Sequence, residues 1–166
     1  MEASNHTDPT AAACQVLVLQ AASQRYAVQL LRVREIRRFH GAVRVPHADE
    51  SLCGVVNVRG AIVPVLDLAA RLGLQTTREK GRSTQVVVLL QAHLAGADRT
   101  VGLLAEGVSD VVNLPESTLR PPPGEHEHAA FVANLFTHAD ETVVLLSVDE
   151  LLAGALPLDT PERSTT

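Results

Sequence analysis

Apolar residues in this chain fall in short runs of strand length, separated by small, polar or turn-forming residues every eight to twelve positions. Gln15 to Gln20 (QVLVLQ) reads as a strand, and Ala21 to Gln24 as a turn. A second strand follows at Arg25 to Leu30, with Tyr26, Val28 and Leu30 on one face and Ala27 and Gln29 on the other. Val33, Glu35 and Ile36 lie in RVREIRRF, which fits a strand or a helical turn, and a loop with Gly41 and Pro46 comes next. The continuous run Gln85 to Leu90 (QVVVLL) has the look of a strand central in its sheet. Ala92 to Arg99 is expected to turn, and Thr100 to Leu104 to form a strand. Gly107 to Leu114 follows a tight turn at Glu106-Gly107. Asn113 to Glu116 reads as a helical turn with a box-like cap. Arg120 to Gly124 (RPPPG) should be stiff and extended. Ala130 to Phe136 and Thr142 to Val148 are the last strands, and a capping box at Ser147 to Glu150 opens a short helix ending at Gly154.

The organising stretch is Gly54 to Gly73, GVVNVRGAIVPVLDLAARLG. Two strands meet at Arg59-Gly60, where Gly60 can take a positive φ. Pro64 lacks an N–H, so its strand should lie at an edge, begin there or carry a bulge. Asp67 can cap the helix LAARL, with Gly73 as its C′ residue. Gly102, inside a strand, is useful mainly where something packs closely on the backbone. The pattern gives nine or ten short strands and three stubs of helix. That excludes an alternating α/β fold and favours small barrels or a sandwich. The order strand, turn, strand, helical stub occurs more than once, which hints at two lobes.

Composition narrows the function. The 166 residues are 46% hydrophobic and 20% charged, enough for one sizeable core or two small ones. Aromatic residues are scarce, so the core is aliphatic and leans towards sheet. A net charge of -5 without a basic run argues against nucleic acid. Residues 1–13 read as a disordered leader, 14–156 as the folded body and 157–166 as a flexible tail. Neither a signal peptide nor a membrane-length apolar run is visible, which points to the cytoplasm with no direct membrane insertion.

Candidate chemistry is thin. His126 and His128, with Glu125 and Glu127, offer two histidines on a loop where a zinc site needs three or four ligands on rigid elements. Cys53 near His47 could suggest a nucleophile and base, but Leu52 beside it favours a core thiol. Asp67 is explained by its cap. No phosphate-binding loop occurs. The residues therefore point to no catalytic group, cofactor or metal. The alternative, a small-barrel enzyme acting on a small substrate, would need a pocket with converging titratable groups. Arg59, stranded between apolar runs, either engages a partner or pairs internally, for instance with Glu35. Arg34, Arg37 and Arg38 around Glu35 form a solvated face or part of a binding surface.

The stretch GVVNVRGAIVPVLDLAARLG, with VREI upstream and GLLAEGVSDVVNL and VVLLSVDELL downstream, resembles the CheW family of bacterial chemosensory adaptors over about Gln15 to Ala153. The resemblance implies an all-β fold of two small five-stranded SH3-like barrel lobes packed around a shared apolar core, with a few short helices. It implies a free-standing adaptor with two partners, the regulatory domain of a CheA-type histidine kinase and the cytoplasmic tip of a chemoreceptor (a methyl-accepting protein), at membrane-associated receptor arrays. Carried over by position, the kinase-binding residues are Val33, Glu35, Ile36, Gly54, Arg59 and Gly60. The receptor-binding residues are Arg59, Val86, Val87, Val88, Leu89, Gly102 and Val108. The chain departs from the family pattern at Cys53, at Val132-Ala133-Asn134, and in the histidine-rich loop RPPPGEHEHAA.

Overall fold

A computed structural model describes residues 13–74, 84–124 and 129–156. Among the described residues ten strands run in the order β1 (Ala13–Ala21), β2 (Gln24–Gln29), β3 (Val33–Arg38), β4 (Leu52–Val58), β5 (Ala61–Asp67), β6 (Val86–Leu94), β7 (Ala97–Ala105), β8 (Gly107–Pro115), β9 (Val132–His138) and β10 (Glu141–Leu146). Short helices α1 (Leu68–Arg71) and α2 (Val148–Leu152) follow β5 and β10. The histidines and glutamates at 125–128 lie outside the described residues, as do residues 1–12 and those from 157; Ala13, expected in the leader 1–13, already belongs to β1.

The strands form two five-stranded sheets, β8-β1-β2-β10-β9 (lobe A) and β3-β6-β7-β5-β4 (lobe B). Each sheet is apolar on both faces. In lobe A, Leu17, Leu19, Tyr26 and Val28 face a core shared with lobe B, whereas Val16, Val18, Ala27 and Phe136 fill the lobe's own interior. In lobe B, Val88, Leu90 and Leu103 face the shared core, and Val63, Val65, Val87 and Leu89 the interior. This explains why QVVVLL is continuously apolar: β6 is covered on both sides. Closure comes from the chain beyond β3 and β8. Val43 pairs with Val55 of β4, and Arg120 with Leu135 of β9.

The lobes are copies of one plan. If β1 to β5 are matched with β6 to β10, the strand order of one sheet reproduces that of the other. Each half is divided between the lobes: β1 and β2 lie in lobe A and β3 to β5 in lobe B, whereas β6 and β7 lie in lobe B and β8 to β10 in lobe A. The register repeats as well. Val33, Glu35 and Ile36 pair with Leu90, Leu89 and Val88 around a bulge at Arg34; Val108, Asp110 and Val111 pair with Leu19, Val18 and Leu17 around a bulge at Ser109. Both β4–β5 and β9–β10 carry a bulge as well, at Cys53 and Ala133.

Each hairpin turns on two residues with positive φ: Ala22-Ser23, Arg59-Gly60, Ala95-Gly96 and Ala139-Asp140. Such turns match the twist of the strands they join. Gly60 has the expected positive φ of 90°, but Arg59 shares it at 51°. Asn57 Oδ1 accepts from the Gly60 N–H at 2.9 Å and fixes the turn.

Several local expectations are corrected. Ala92 to Arg99 is not a long turn; β6 and β7 extend to Leu94 and from Ala97, because Gln91-Ala92-His93-Leu94 alternates and buries Ala92 and Leu94. Glu106-Gly107 makes no hairpin. The chain passes there from lobe B to lobe A, with the Glu106 N–H donating to the Gln20 carbonyl. Asn113 and Leu114 remain in β8, and the helical turn covers Glu116–Thr118 without a side-chain cap. Ser147 makes no side-chain cap on α2. Pro64 is not on an edge strand, since β5 lies between β4 and β7. It is tolerated because pairing with β7 begins only at Val65, and opposite Val55 it falls at a position where an antiparallel ladder makes no bonds. Asp67 does cap α1, accepting from Ala70 N–H at 3.3 Å, and Gly73 closes it with φ of 78°.

Candidate binding surface on lobe B

Strand β3 lies beside the tip of the β4–β5 hairpin, and an exposed ion pair forms between them. Arg59 Nη2 sits 2.9 Å from Glu35 Oε2. Arg59 is thus paired internally, as one of the two sequence readings has it, yet its side chain remains 72% exposed. An exposed pair of this kind contributes only about 0.2–1 kcal/mol, so it orients the guanidinium more than it holds the fold.

Next to the pair is an open notch of about 610 Å³. Its floor is Val58, Val63 and Leu89, each nearly buried. Its rim is Arg34, Glu35, Arg59 and Thr100, with Ala61 at the hairpin tip. A second recess of about 500 Å³ opens between the segment Arg37 to Val43 and β4, floored by Val87 and Leu89.

The sequence-derived residues are distributed unevenly about this surface. Glu35, Arg59 and Leu89 meet at the notch. Ile36 is 43% exposed on the same strand. Gly54 is buried, with φ of 147°, and a Cβ there would run into the Val43 carbonyl, so its duty is to let the closing segment approach β4. Gly102 is also buried; a Cβ would lie 2.7 Å from Val87 Cγ1 and 3.0 Å from Val65 Cγ2, the close packing its position suggests. Val88 is wholly inside the shared core, and Val87 and Leu89 are nearly buried. Val33, Val86 and Val108 are half-buried against the shared core. Gly60 is exposed in its turn. Cys53 lies in the lobe B interior, in keeping with a core thiol.

Sequence reasoning missed Ala61, Thr100 and Val63 as neighbours of Arg59. Small or aliphatic residues carry no signal of their own, and only the hairpin register brings them together. It also missed the clamp between the lobes. Arg32, in the crossing from β2 to β3, donates to both oxygens of Asp149 on α2 at 2.9 and 3.0 Å. The same carboxylate accepts from the His93 backbone N–H at 2.8 Å. Nearby, Arg71 on α1 donates to the carbonyls of Leu151 and Ala153 and lies over the Phe131 ring, 4.7 Å from its centroid.

The perturbed carboxylates serve these structural bonds. The Arg32 hydrogen bonds hold the Asp149 carboxyl below its usual range, those from Ser51 do so for Asp49, and that from His93 does so for Asp98. Lowered carboxylates stay ionised at neutral pH, so they act as acceptors and not as proton donors. Burial pushes the Cys14 thiol and the Tyr26 hydroxyl up, which disfavours their anionic forms.

Fold and surface together define a class: a two-lobed all-β protein whose polar groups are displayed on rigid outer faces or spent on joining the lobes. The chain belongs to the CheW-like domain family, whose model matches residues 15–155. A probable chemotaxis protein CheW of Rhizobium etli is 33% identical over 109 residues, 66% of each chain. The chemotaxis protein CheW of Klebsiella aerogenes is 29% identical over 140 residues, 83% of this chain and 81% of that one. The crystal structure of the scaffolding protein TtCheW from Thermoanaerobacter tengcongensis superposes with a TM-score of 0.75 at 24% identity, covering 84% of this chain and 92% of that one.

Proposed function

We propose that this protein is a chemosensory adaptor that couples the cytoplasmic tip of a chemoreceptor to the regulatory domain of a CheA-type histidine kinase, working in the cytoplasm at receptor arrays. Family membership supports the chemotaxis role, and the observation that carries the kinase contact is the exposed Arg59–Glu35 pair beside Ile36 and the apolar notch. An arginine held at a hairpin tip presents a rigid fork of donors to a partner's carboxylates or carbonyls. Aliphatic surface next to it supplies area to exclude water. Among the described residues no helix is long and apolar enough to cross a membrane, so attachment to an array falls to protein contacts. Modest contacts to two partners at once raise the effective affinity of each.

The test is the Arg59→Ala variant. Its urea-derived stability should stay within about 0.5 kcal/mol of wild type, as surface substitutions usually do. Calorimetric titration should show binding to the kinase regulatory domain or receptor tip weakened by about 1–3 kcal/mol. Lost stability with unchanged affinity would reduce Arg59 to a turn-holding role, and a wild-type protein that binds neither partner would defeat the adaptor reading.

A further inference from the structure

Strands β3 and β4 are the two edges of the lobe B sheet, and the barrel closes only where those edges are tied. The strands themselves make no ladder with each other. At one end the bridge between Val43 and Val55 joins them, and at the other only the side chains of Arg59 and Glu35 meet. Between the two ties lies the recess of about 500 Å³ described above, a slit in the barrel wall. Both of its edges carry backbone groups that face into open space. Val55 turns its N–H and carbonyl away from β5 to bond Val43, so strand alternation turns those of Asn57 the same way. On the other side the Phe39 N–H donates to the Gln85 carbonyl. By the same alternation Arg37 bonds β6, and the backbone groups of Ile36 and Arg38 point away from it. Among the described residues no backbone bond reaches the outward groups of Ile36, Arg38 or Asn57.

We propose that the slit is a strand-addition site, which takes one short extended segment of another protein with aliphatic and acidic residues in alternation. Unpaired edges on both sides of one recess offer main-chain bonds to an extended guest, and to no other backbone conformation. Alternation then decides what the guest's side chains meet. Those on the inner face enter beside Phe39, Val56 and Leu89, which belong to the apolar interior of lobe B. Those on the outer face meet Arg37, Arg38 and His40, all exposed, and no acidic residue lines the recess. Guanidinium groups without a carboxylate among them select an acidic guest and reject a basic one. The stretch from Val55 to Val58 covers about 10 Å of strand, room for three or four guest residues. The slit opens on the barrel wall between Arg37 and Val56, whereas the notch lies at the hairpin tip, and the proposal does not depend on the adaptor reading.

The probe is an end-blocked peptide of alternating valine and glutamate, titrated into the full chain and followed by calorimetry and by amide hydrogen exchange. At saturation, exchange at Ile36, Arg38 and Asn57 should slow by about tenfold or more, since those three amides gain partners. A peptide with lysine in place of glutamate should bind about tenfold more weakly or worse, and so should one N-methylated at alternate residues, which loses its donors along one edge. The double variant Arg37→Glu, Arg38→Glu, at two exposed positions, should lose affinity for the glutamate peptide and gain it for the lysine peptide, with its melting temperature near that of wild type. The peptide exchanges use the unaltered protein, so they decide the matter even where that variant folds poorly. No binding of the glutamate peptide would overturn the proposal, as would protection confined to other amides. Equal binding of the lysine peptide would remove the charge selection, and equal binding of the N-methylated one would remove the strand pairing; either result defeats the site as stated.

Discussion

Gly54 shows how a single residue without a side chain can close a barrel. Its φ of 147° is one that L side chains rarely adopt, and the Val43 carbonyl occupies the space a Cβ would need. That contact belongs to the bridge in which Val43 N–H donates to Val55 at 2.9 Å and Val55 N–H donates back at 2.8 Å. Gly54→Ala must distort the backbone or break the bridge, and should cost about 2–4 kcal/mol. Urea melts measure this directly; a loss under 0.5 kcal/mol would show that β4 accommodates the methyl. Gly102→Ala is a milder case. The atoms in its way are methyls of Val87 and Val65 that can shift by rotamer, so about 1–3 kcal/mol is expected for overpacking. At this scale the sequence was informative about glycines, because an unusual residue in an apolar strand needs a reason. It was silent about Ala61 and Thr100, which only the hairpin register brings beside Arg59.

At the scale of elements, α2 and the β2–β3 crossing are joined by the Arg32–Asp149 clamp, and this sets a pH dependence. Arg32 lowers the Asp149 pKa in the folded protein. A lowered carboxylate stabilises the fold above its unfolded pKa of about 3.9, and that contribution is lost as pH falls through the folded value. Urea midpoints should therefore fall with acid below about pH 4. Asp149→Asn should cost about 1–2 kcal/mol at neutral pH, allowing for partial exposure of the pair. It should also make the acid decline shallower, and an unchanged decline would assign it to other carboxylates. Elements themselves were legible where apolar runs were bounded by turn residues, as in β4, β5, α1 and β10. They were misjudged where polar residues alternate with small ones, as in Gln91 to Leu94. The capping box at Ser147 did not form a side-chain cap, although the neighbouring Asp149 is engaged by Arg32.

For the whole molecule, the division of each half between the two sheets makes each lobe depend on both halves of the chain. Cleaving within 75–83 separates β1–β5 from β6–β10, so each fragment loses partners for strands in both sheets. Neither fragment alone should melt cooperatively by circular dichroism, and an equimolar mixture should recover a cooperative transition. A fragment that melts cooperatively by itself would show that its five strands can close without the other half. The two-lobed, all-β character could be read from strand count and turn spacing. The division of each half could not, since a turn at Glu106 and a passage to the other sheet look alike along the chain.

The repeat, with each half divided between the lobes, has one more consequence. A half-chain of five strands and one helix holds every piece of this plan, so two identical halves could build it as a symmetric dimer. In such a dimer every outer face would occur twice, and any change that opened a recess on one subunit would open it on the other. Covalent continuity removes that obligation. With both halves in one polypeptide, Ala61 and Thr100 can border a recess on lobe B while the ion-paired Glu141 and Arg25 stand at the equivalent positions on lobe A. The molecule thereby has a direction, one end unlike the other.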